Sequence, residues 1–511
     1  MRCAVLDLGS NSFHLLVADV EGSAVAPVRR EREMLHLGRA VARHGRIPVD
    51  LEVRAVATVD RLADLARRSG AQELVAVGTE ALRGPERAAL VARLSEVAGT
   101  QIEILDGAEE ARLAYLGARA SVDVEQEPAL VIDLGGGSLE LAIGTGERIL
   151  WACSLPLGAS RLTAMLDPLD PDDMDEPVSE RQLDELRAHI ARQLDPAVAT
   201  VSEHAPATVL AVGGTVRALA RLLAARADRW LPSTVNQAPL TLDELADAVV
   251  DLTEVGTAER ARMPGVKSRR ADHLHVAAVV LEATLRRVGS ASARVSDWGL
   301  REGVLLHRYG KIRVPQGTTL REQQVSWLQR TFTPDDAHPD HVAASAVRLF
   351  DASAELHGHG THARELLSHA AHLHAIGSAL ALRRQQEHGA YLIEHAELRG
   401  FDPEELAVLH TLVRFHPSRG ISQRSPAFAS LPAQTRDMTS DLLALLQLAD
   451  ALDASHDQHT AITALRRSRG AFEIELAAAA NPLTVRAVRD RSTLFSERFA
   501  LPVVLSARTA A

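Results

Sequence analysis

Two kinds of hydrophobic pattern divide the chain. Through the first three-fifths, helical periodicity alternates with short apolar stretches, which predict strands at Leu74 to Val77, Ile102 to Leu105, Thr208 to Val212 and Ala293 to Ser296. From Thr318 to about Ala454 the periodicity is helical throughout, and shorter stretches of both kinds follow Thr460. The pattern predicts an α/β region, then an all-α domain, then a small C-terminal module that contains β structure.

One segment occurs twice in the α/β region. Val5-Leu-Asp-Leu-Gly-Ser-Asn-Ser-Phe-His-Leu15 recurs as Val131-Ile-Asp-Leu-Gly-Gly-Gly-Ser-Leu-Glu-Leu141. Each copy is typical of an apolar strand that ends in Asp, a Gly/Ser turn and a second, alternating strand. Repetition of a whole hairpin predicts two similar domains. We place the domain boundaries at 1–124, 125–308, 318–458 and 460–511.

The charge balance argues against several classes of partner. With 56 basic and 67 acidic residues the net charge is −11, which disfavours a nucleic-acid binder whose whole surface is basic. Only Lys267 and Lys311 are lysines, so a local basic groove would consist of arginines and backbone amides. No apolar run approaches the roughly 18 residues of a membrane span, and the N-terminus lacks a signal-peptide pattern. We therefore expect a cytoplasmic protein that binds neither nucleic acid nor membrane.

Both hairpin turns carry groups suited to phosphate and magnesium. Tight Gly/Ser turns expose amides that can bind phosphoryl oxygens, and the carboxylate beside them can hold Mg²⁺ directly or through water. A single turn of this kind is often only a turn, but its duplication favours two hairpins that clamp a phosphate chain. The predicted phosphate-binding residues are Asp7, Gly9, Ser10, Asn11 and Ser12 in the first copy and Gly135, Gly136, Gly137 and Ser138 in the second.

A third glycine turn, Gly213-Gly214-Thr215, lies between a predicted strand and a predicted helix. Helix N-terminal amides favour anions, which makes these residues further candidates for phosphate binding. Gly-Gly could equally allow close packing of the helix on the strand, and the sequence leaves both readings open.

Glu109 and Glu110 lie in the first turn of a predicted helix between the two hairpins. A carboxylate beside a phosphate-filled cleft can orient or deprotonate water. Acidic residues at a helix start also simply complement the helix dipole. The pattern alone does not decide between these roles.

Six motifs in this order resemble the exopolyphosphatase and guanosine pentaphosphate phosphohydrolase (Ppx/GppA) family over residues 1 to about 308. They are Asp7-Leu-Gly-Ser-Asn-Ser-Phe-His14, Val77-Gly-Thr-Glu-Ala-Leu-Arg83, Asp106-Gly-Ala-Glu-Glu-Ala-Arg112, Asp133-Leu-Gly-Gly-Gly-Ser-Leu-Glu140, Gly213-Gly-Thr215 and Val295-Ser-Asp-Trp-Gly-Leu-Arg-Glu-Gly-Val304.

The resemblance implies a fold and a set of roles. The fold would be α/β, with two actin-like domains of the RNase H type (ASKHA superfold) and the active site between them. Glu110 would be the catalytic residue, Asp133 and Glu140 would be associated with Mg²⁺, and Arg83 would bind phosphate. The arginine assignment is also physically reasonable, because a guanidinium can bind two phosphate oxygens at once. A homodimer is implied as well.

The helical region resembles the HD-type domain of longer family members. Metal-dependent HD domains use an upstream His, a His-Asp tandem and a later Asp. Here His341 and Asp450 match the outer positions, but the tandem reads His374-Ala375, so one ligand is missing. We expect a metal-free scaffold, although His341, His374 and Asp450 could still hold one ion with waters in the remaining positions.

The sequence therefore predicts a Mg²⁺-dependent exopolyphosphatase that releases terminal orthophosphate from inorganic polyphosphate. Removal of the 5′-phosphate from guanosine pentaphosphate (pppGpp) would use the same residues and stays open. A third possibility is a regulatory protein whose cleft binds a nucleotide without turnover, which retention of Glu110 disfavours.

Overall fold

The computed structural model describes residues 1–21, 24–122, 127–166, 176–310, 319–333, 337–468 and 470–507. The predicted boundary at 124 and the predicted domain start at 318 lie outside the described residues. The chain divides into two compact units. One comprises Met1–Ala227 and Val235–Gly317, and the other comprises Asp228–Thr234 and Thr318–Ala511.

The first sheet is built around the first hairpin. Its strand order is β3-β2-β1-β4-β5, with β1, β2 and β3 antiparallel and β4 and β5 parallel to β1. The elements are β1 (Arg2–Leu8), β2 (Ser12–Glu21), β3 (Ala24–Met34), α1 (Leu37–His44), α2 (Val49–Arg68), β4 (Glu73–Gly78), α3 (Ala88–Ala98), β5 (Ile102–Ile104) and α4 (Gly107–Ser121). Short 3₁₀ turns cover Glu80–Leu82 and Pro85–Arg87.

Strand β1 is apolar without alternation because both of its faces are covered. Ala4 and Leu6 pack in one hydrophobic cluster, which includes residues of α2 and α3. Cys3 and Val5 pack in a second cluster on the opposite face. A continuous apolar run is the expected sequence of a strand that is buried on both sides.

The second sheet repeats this plan around the second hairpin. Its order is β10-β11-β9-β6-β7-β8. The elements are β6 (Ala129–Leu134), β7 (Leu139–Thr145), β8 (Arg148–Leu155), α5 (Ala159–Leu166), α6 (Glu180–His204), β9 (Thr208–Val212), α7 (Gly214–Arg226), β10 (Pro239–Thr241), α8 (Leu242–Thr253), α9 (Thr257–Arg260), α10 (Ala271–Arg287), β11 (Ser292–Val295) and α11 (Leu300–Tyr309). A 3₁₀ turn covers Ser268–Arg270.

The two hairpins share one register. Asp7 on β1 lies opposite His14 on β2, and Asp133 on β6 lies opposite Glu140 on β7. The repeat seen in the sequence is therefore a repeat in structure, down to the residue paired across the ladder. The cross-strand partner of the Asp is a histidine in one copy and a carboxylate in the other.

Helices α4 and α11 join the two sheets. Ala111, Tyr115 and Ala118 of α4 pack against the second sheet. Residues Val304, Leu305 and Leu306 of α11 pack with Cys3 and Val5 of the first sheet, although the boundary drawn from the sequence assigns α11 to the second domain.

The crossing of α4 and α11 depends on two glycines. A Cβ at Gly117 would overlap the Gly299 carbonyl, and a Cβ at Gly303 would overlap the Leu113 carbonyl. The absence of side chains at these positions allows the two backbones to touch.

We expect Gly303→Ala to lower the unfolding free energy of this unit by about 1–3 kcal/mol, because the added methyl group must push the two helices apart. Thermal unfolding measured beside Gly420→Ala provides the comparison, since a Cβ at Gly420 meets no atom within 4 Å. Equal melting temperatures for the two variants would contradict the role assigned to the helix crossing.

The second unit is helical and ends in a small sheet. Its sheet order is β12-β13-β14. The elements are α12 (Leu320–Phe332), α13 (His338–Ala352), α14 (Ala354–His357), α15 (Thr361–Leu373), α16 (Gln385–His395), α17 (Pro403–Phe415), α18 (Pro426–Ala429), α19 (Ala433–Leu452), β12 (Ile462–Ser468), β13 (Ala471–Leu476), α20 (Pro482–Arg491), α21 (Thr493–Phe499) and β14 (Val503–Ala507), with a 3₁₀ turn at Ile376–Ala379.

The helical domain and the C-terminal module share one hydrophobic core. Leu442, Leu445 and Leu448 of α19 are fully buried in the same cluster as Phe472 of β13 and Phe495 of α21. The predicted order of a helical domain followed by a β-containing module is confirmed. None of the helices in the described ranges combines the length and apolar character that a membrane span requires.

Candidate active site

The tips of the two hairpins face each other across one cleft. Asn11 of the first turn donates through Nδ2 to Ser160 Oγ (2.6 Å), in the first turn of α5 of the second domain. A Cβ at Gly137 would lie 3.1 Å from Ser10 Oγ. Glu80 accepts from Arg161 and, at 3.4 Å, from the Ser10 hydroxyl, so an ion pair also links the two sides. The sequence prediction that the hairpins oppose one another agrees with this geometry.

Most carbonyl oxygens of both turns accept backbone hydrogen bonds. Each turn closes with the same hydrogen bond, from Gly9 N to Ser12 O (3.2 Å) and from Gly135 N to Ser138 O (3.0 Å). The carbonyls of Ser10 and Asn11 in the first turn, and of Gly135, Gly136 and Gly137 in the second, accept amides at the starts of α1 and α5, namely those of Leu35, His36, Gly38, Gly158, Ala159, Ser160 and Arg161. With these carbonyls engaged, N–H groups of the turns can bind an anion in the cleft.

The third glycine turn also lines the cleft, and its geometry supports both readings of the sequence. Gly213 has φ 124°, and a Cβ there would lie 2.6 Å from the Leu134 carbonyl. Glycine is therefore required for the close approach to β6. Gly213, Gly214 and Thr215 nevertheless border the same cavity as the hairpin turns, at the N-terminus of α7.

Four carboxyl groups converge in the cleft. Asp7, Asp133, Glu140 and Glu110 all line it. Burial raises the pKa of Asp7 and of Asp133 to about 6, and for Asp133 the charge of Asp7 adds to the effect. Burial, followed by the charge of Asp133, raises the pKa of Glu140 as well, and the Ser154 hydroxyl donates to its Oε1 at 2.7 Å. The charge of each ionised carboxylate disfavours ionisation of its neighbours, and a nearby cation would relieve this repulsion.

Glu110 is the buried member of the glutamate pair. It lines the cleft, whereas Glu109 is not among the lining residues, and the Glu109 amide is held by the Asp106 side chain that caps α4 (2.8 Å). Burial, followed by the charge of Glu140, raises the pKa of Glu110 well above its usual value. A carboxylate with raised basicity is suited to accept a proton from water.

Arg83 lies against Glu110 rather than on the wall of the cleft. Its guanidinium pairs with Glu110 and donates through Nε to the Leu105 carbonyl (2.8 Å). Arg83 is not among the residues that line the cavity in the described part of the chain. Its contacts suit a residue that orients Glu110, and the phosphate-binding role implied by the resemblance stays a prediction.

Sequence reasoning did not assign a role to four arginines of the cleft. Arg32, Arg217, Arg270 and Arg301 line it from β3, α7, the 3₁₀ turn before α10 and α11. Burial, followed by the charges of Arg32 and Arg217, lowers the pKa of Arg270 to about 10. Mutual repulsion of partly buried cations is relieved by a bound anion, so this side of the cleft favours phosphate.

Two of these arginines lie in or beside sequence motifs. Arg217 follows the Gly213-Gly214-Thr215 turn by two residues, and Arg301 lies within the last motif of the resemblance. Arg217 also contacts Asp297, whose carbonyl accepts from its Nη1 at 3.3 Å. Arg32 and Arg270 come from unrelated segments, and only the folded chain places them beside the hairpins.

The paired sheets, with duplicated hairpin tips around a cleft, are the architecture of an actin-like protein. Comparison with known sequences gives the particular family. The profile of the Ppx/GppA phosphatase family matches residues 16–311, and the profile of domain III of the Ppx/GppA phosphatases matches residues 320–491. The chain belongs to the Ppx/GppA phosphatase family, and it is thus a hydrolase.

Individual relatives and solved structures agree with this family assignment. Exopolyphosphatase 1 of Mycobacterium tuberculosis is 32% identical over 311 residues, which cover 60% of this chain and 88% of that protein. An uncharacterized protein of Streptomyces coelicolor is 34% identical over 354 residues, covering 69% of this chain and 100% of that one. The crystal structure of an exopolyphosphatase from Cytophaga hutchinsonii is similar at a TM-score of 0.55 and 26% identity, over 60% of this chain and 96% of that one. The Aquifex aeolicus family member gives a TM-score of 0.51 and 26% identity, over 60% of this chain and 97% of that one.

In the helical domain, the upstream histidine chosen from the sequence was wrong. The residues that meet are His338, His374 and Asp450, whereas His341 is not part of this group. His338 and His341 are one helical turn apart on α13, so either could match the spacing of a motif. Only His338, the first residue of the helix, is directed at Asp450.

Proposed function

We propose that this chain is an exopolyphosphatase that removes orthophosphate from the end of linear inorganic polyphosphate. The observation that carries the proposal is the line of basic residues leading out of the cleft. Beyond the half-buried Arg217, Arg270 and Arg32, the series continues to the exposed Arg269 and Lys267. These groups are close enough to lower one another's pKa: burial, and then the charges of Arg221, Arg269 and Arg32, lower the pKa of Lys267. A linear polyanion with regularly spaced charges complements such a line.

The alternative substrate, pppGpp, would add a base and a ribose to the same phosphates. Nucleobases are commonly held by aromatic side chains or by hydrogen bonds to their edges. No Phe, Tyr or Trp is among the described residues that line the cleft. The names of the mycobacterial and Cytophaga relatives favour polyphosphate as well.

In the proposed reaction, water attacks the terminal phosphorus as the bond to the bridging oxygen breaks. The products are orthophosphate and a polyphosphate chain that is one unit shorter. Glu110 orients the water and accepts its proton, and Arg83 holds Glu110 in place through their ion pair. The turn amides and the cleft arginines bind the non-bridging oxygens, whose charge they stabilise in the transition state.

The donor set of the cleft fits Mg²⁺. Asp133 and Glu140 face each other across the β6/β7 ladder and supply hard carboxylate oxygens, with Asp7 nearby. Among the described residues these groups do not form a trio with all ligand atoms within 4.8 Å of one another. This is consistent with the preference of Mg²⁺ for one or two carboxylates plus waters and substrate phosphates. When bound, the ion would neutralise phosphoryl charge. A homodimer and a cytoplasmic location, expected from the sequence, remain part of the proposal.

The proposal is tested by comparing two substrates on one preparation. With long-chain polyphosphate and pppGpp at equal concentration, we expect the larger kcat/KM for polyphosphate. A larger kcat/KM for pppGpp would reverse the assignment. Tight binding of the nucleotide without release of phosphate from either compound would favour the regulatory alternative.

The basic line makes its own prediction about chain length. We expect the double variant Lys267→Gln/Arg269→Gln to raise KM for long polyphosphate by about 3- to 10-fold, because exposed charge contacts are each worth at most about 1 kcal/mol. KM for tripolyphosphate should stay within about 2-fold, since so short a chain ends inside the cleft. The matched control is Arg181→Gln/Arg187→Gln, which removes two exposed charges from α6. Equal changes in KM for long polyphosphate and for tripolyphosphate would contradict the proposal that the basic line binds long chains.

A further inference from the structure

A second group of metal-ligand atoms lies in the helical domain, outside the cleft. His338 Nε2 lies 3.2 Å from Asp450 Oδ1 and 3.2 Å from His374 Nε2, and His374 Nε2 lies 3.6 Å from the same Asp450 oxygen. The residues come from the start of α13, the C-cap of α15 and the last turn of α19. All three are buried. Three segments far apart in sequence therefore direct one ligand atom each at a common point.

The Nδ1 atom of each imidazole, which faces away from the group, has a hydrogen-bond partner of its own. His374 Nδ1 lies 2.7 Å from the Ala371 carbonyl, which can only accept, so Nδ1 carries the proton and the lone pair is on Nε2. His338 Nδ1 lies 2.7 Å from Asp453 Oδ2. A histidine whose far nitrogen donates to a carbonyl or a carboxylate is the usual arrangement around a bound metal.

The Asp453 side chain is itself held in place by hydrogen bonds. It is fully buried, and its carboxylate accepts from the Gln458 amide (2.9 Å) and from Gln458 Nε2 (3.1 Å). On the opposite side, Asp450 Oδ2 pairs with Arg491 of α20, which leaves Oδ1 directed at the two histidines. Each ligand therefore has a second partner that fixes its orientation.

The separations match a coordination shell. Bonds of about 2.0–2.2 Å to nitrogen and oxygen place neighbouring tetrahedral ligands about 3.3–3.6 Å apart. The observed separations are 3.2, 3.2 and 3.6 Å. Without a cation, one proton on His338 Nε2 would have to serve two acceptors, Asp450 and His374, which a single N–H cannot do with good geometry for both.

We propose that the helical domain binds one divalent transition-metal ion through His338, His374 and Asp450. Two imidazoles and one carboxylate form a donor set suited to zinc or ferrous iron. The residue after His374 is Ala375, which supplies no carboxylate, so the site is mononuclear. The metal-free scaffold was expected from the sequence because Ala375 supplies no carboxylate; the inference departs from it because His338, His374 and Asp450 converge without that ligand. It does not depend on the substrate of the cleft.

The test is metal analysis of the full chain, purified without an affinity tag and equilibrated with Zn²⁺ before removal of free ion. We expect one retained zinc per chain. His374→Ala should weaken zinc affinity by on the order of 10²-fold or more, and Asp453→Asn, which changes the partner of His338 Nδ1 and leaves the three ligands in place, by about 10- to 100-fold. The matched control is His341→Ala, a histidine of the same helix outside the group, which should retain the zinc.

Co²⁺ provides a measurement on the unaltered protein, in case His374→Ala does not fold. Wild-type chain and His341→Ala should both show the visible absorption of low-symmetry Co²⁺, and both should lose it when Zn²⁺ is added. Absence of a retained ion and of a Co²⁺ band in the wild type would overturn the proposal. Loss of the zinc in His341→Ala, or its full retention in a folded His374→Ala, would also overturn it.

Discussion

Glu110→Gln should lower the rate of phosphate release from polyphosphate by on the order of 10²-fold or more. The amide has nearly the same shape as the carboxylate, and its oxygen can still accept from Arg83, but it cannot take a proton from water. The measurement is kcat at saturating polyphosphate and Mg²⁺. Glu109→Gln is the matched control, because Glu109 is the neighbouring residue of the same helical turn and does not line the cleft.

The same substitution should leave the fold intact. Because burial raises the pKa of Glu110, ionisation of this carboxyl group costs more free energy in the folded protein than in the unfolded chain. A raised folded-state pKa in an acid means that the ionised side chain reduces stability once the pH exceeds the unfolded-state value, so a neutral Gln should not lower the melting temperature at pH 8. Near-normal turnover in a folded Glu110→Gln protein would remove Glu110 from the role of base.

Asp133→Ala and Glu140→Ala should each raise the Mg²⁺ concentration needed for half-maximal activity by about 10- to 100-fold, the range found when groups around a metal are removed. Each substitution takes away an oxygen ligand or the anchor of a coordinated water. The measurement is a Mg²⁺ titration of phosphate release. Glu147→Ala, in the exposed turn between β7 and β8, is the control for loss of an acidic residue near the same sheet.

Activity of the wild type in excess chelator provides the contrary outcome. If it equals the activity in Mg²⁺, the magnesium assignment of Asp133 and Glu140 is wrong. If only one of the two variants changes the Mg²⁺ requirement, the unaffected residue binds no ion and acts only as part of the ladder.

The sequence predicted the local features well because they are encoded locally. The duplicated hairpin is written in consecutive residues, and its register follows from a turn of fixed length, so Asp7 and Asp133 reach equivalent positions. The strands at Thr208–Val212 and Ser292–Val295 also lie where the apolar stretches predict them. The fold class followed from these elements together with the family resemblance.

The parts of the site that the sequence missed depend on tertiary structure. Arg32 and Arg270 are distant in the chain and carry no motif, so nothing local indicates that they share a cleft. Arg83 is in a motif, but its ion pair with Glu110 depends on how α4 packs against the turn after β4. Either His338 or His341, one helical turn apart on α13, could match the upstream histidine of the pattern. Only the packing of α13 on α19 selects His338.

The contact between α4 and α11 determines how the cleft can move. Glu110 is near the start of α4, and Arg301 is near the start of α11, so each helix carries one group of the site at its end. The two backbones touch at Gly117 and Gly303, and a joint of this kind permits sliding but little separation. We therefore expect any change in the angle between the two sheets to proceed as a shear along these helices, which shifts the Glu110 carboxylate relative to the Arg301 guanidinium. If the proposed function holds, admission of a chain to the cleft and separation of these two groups would be one motion.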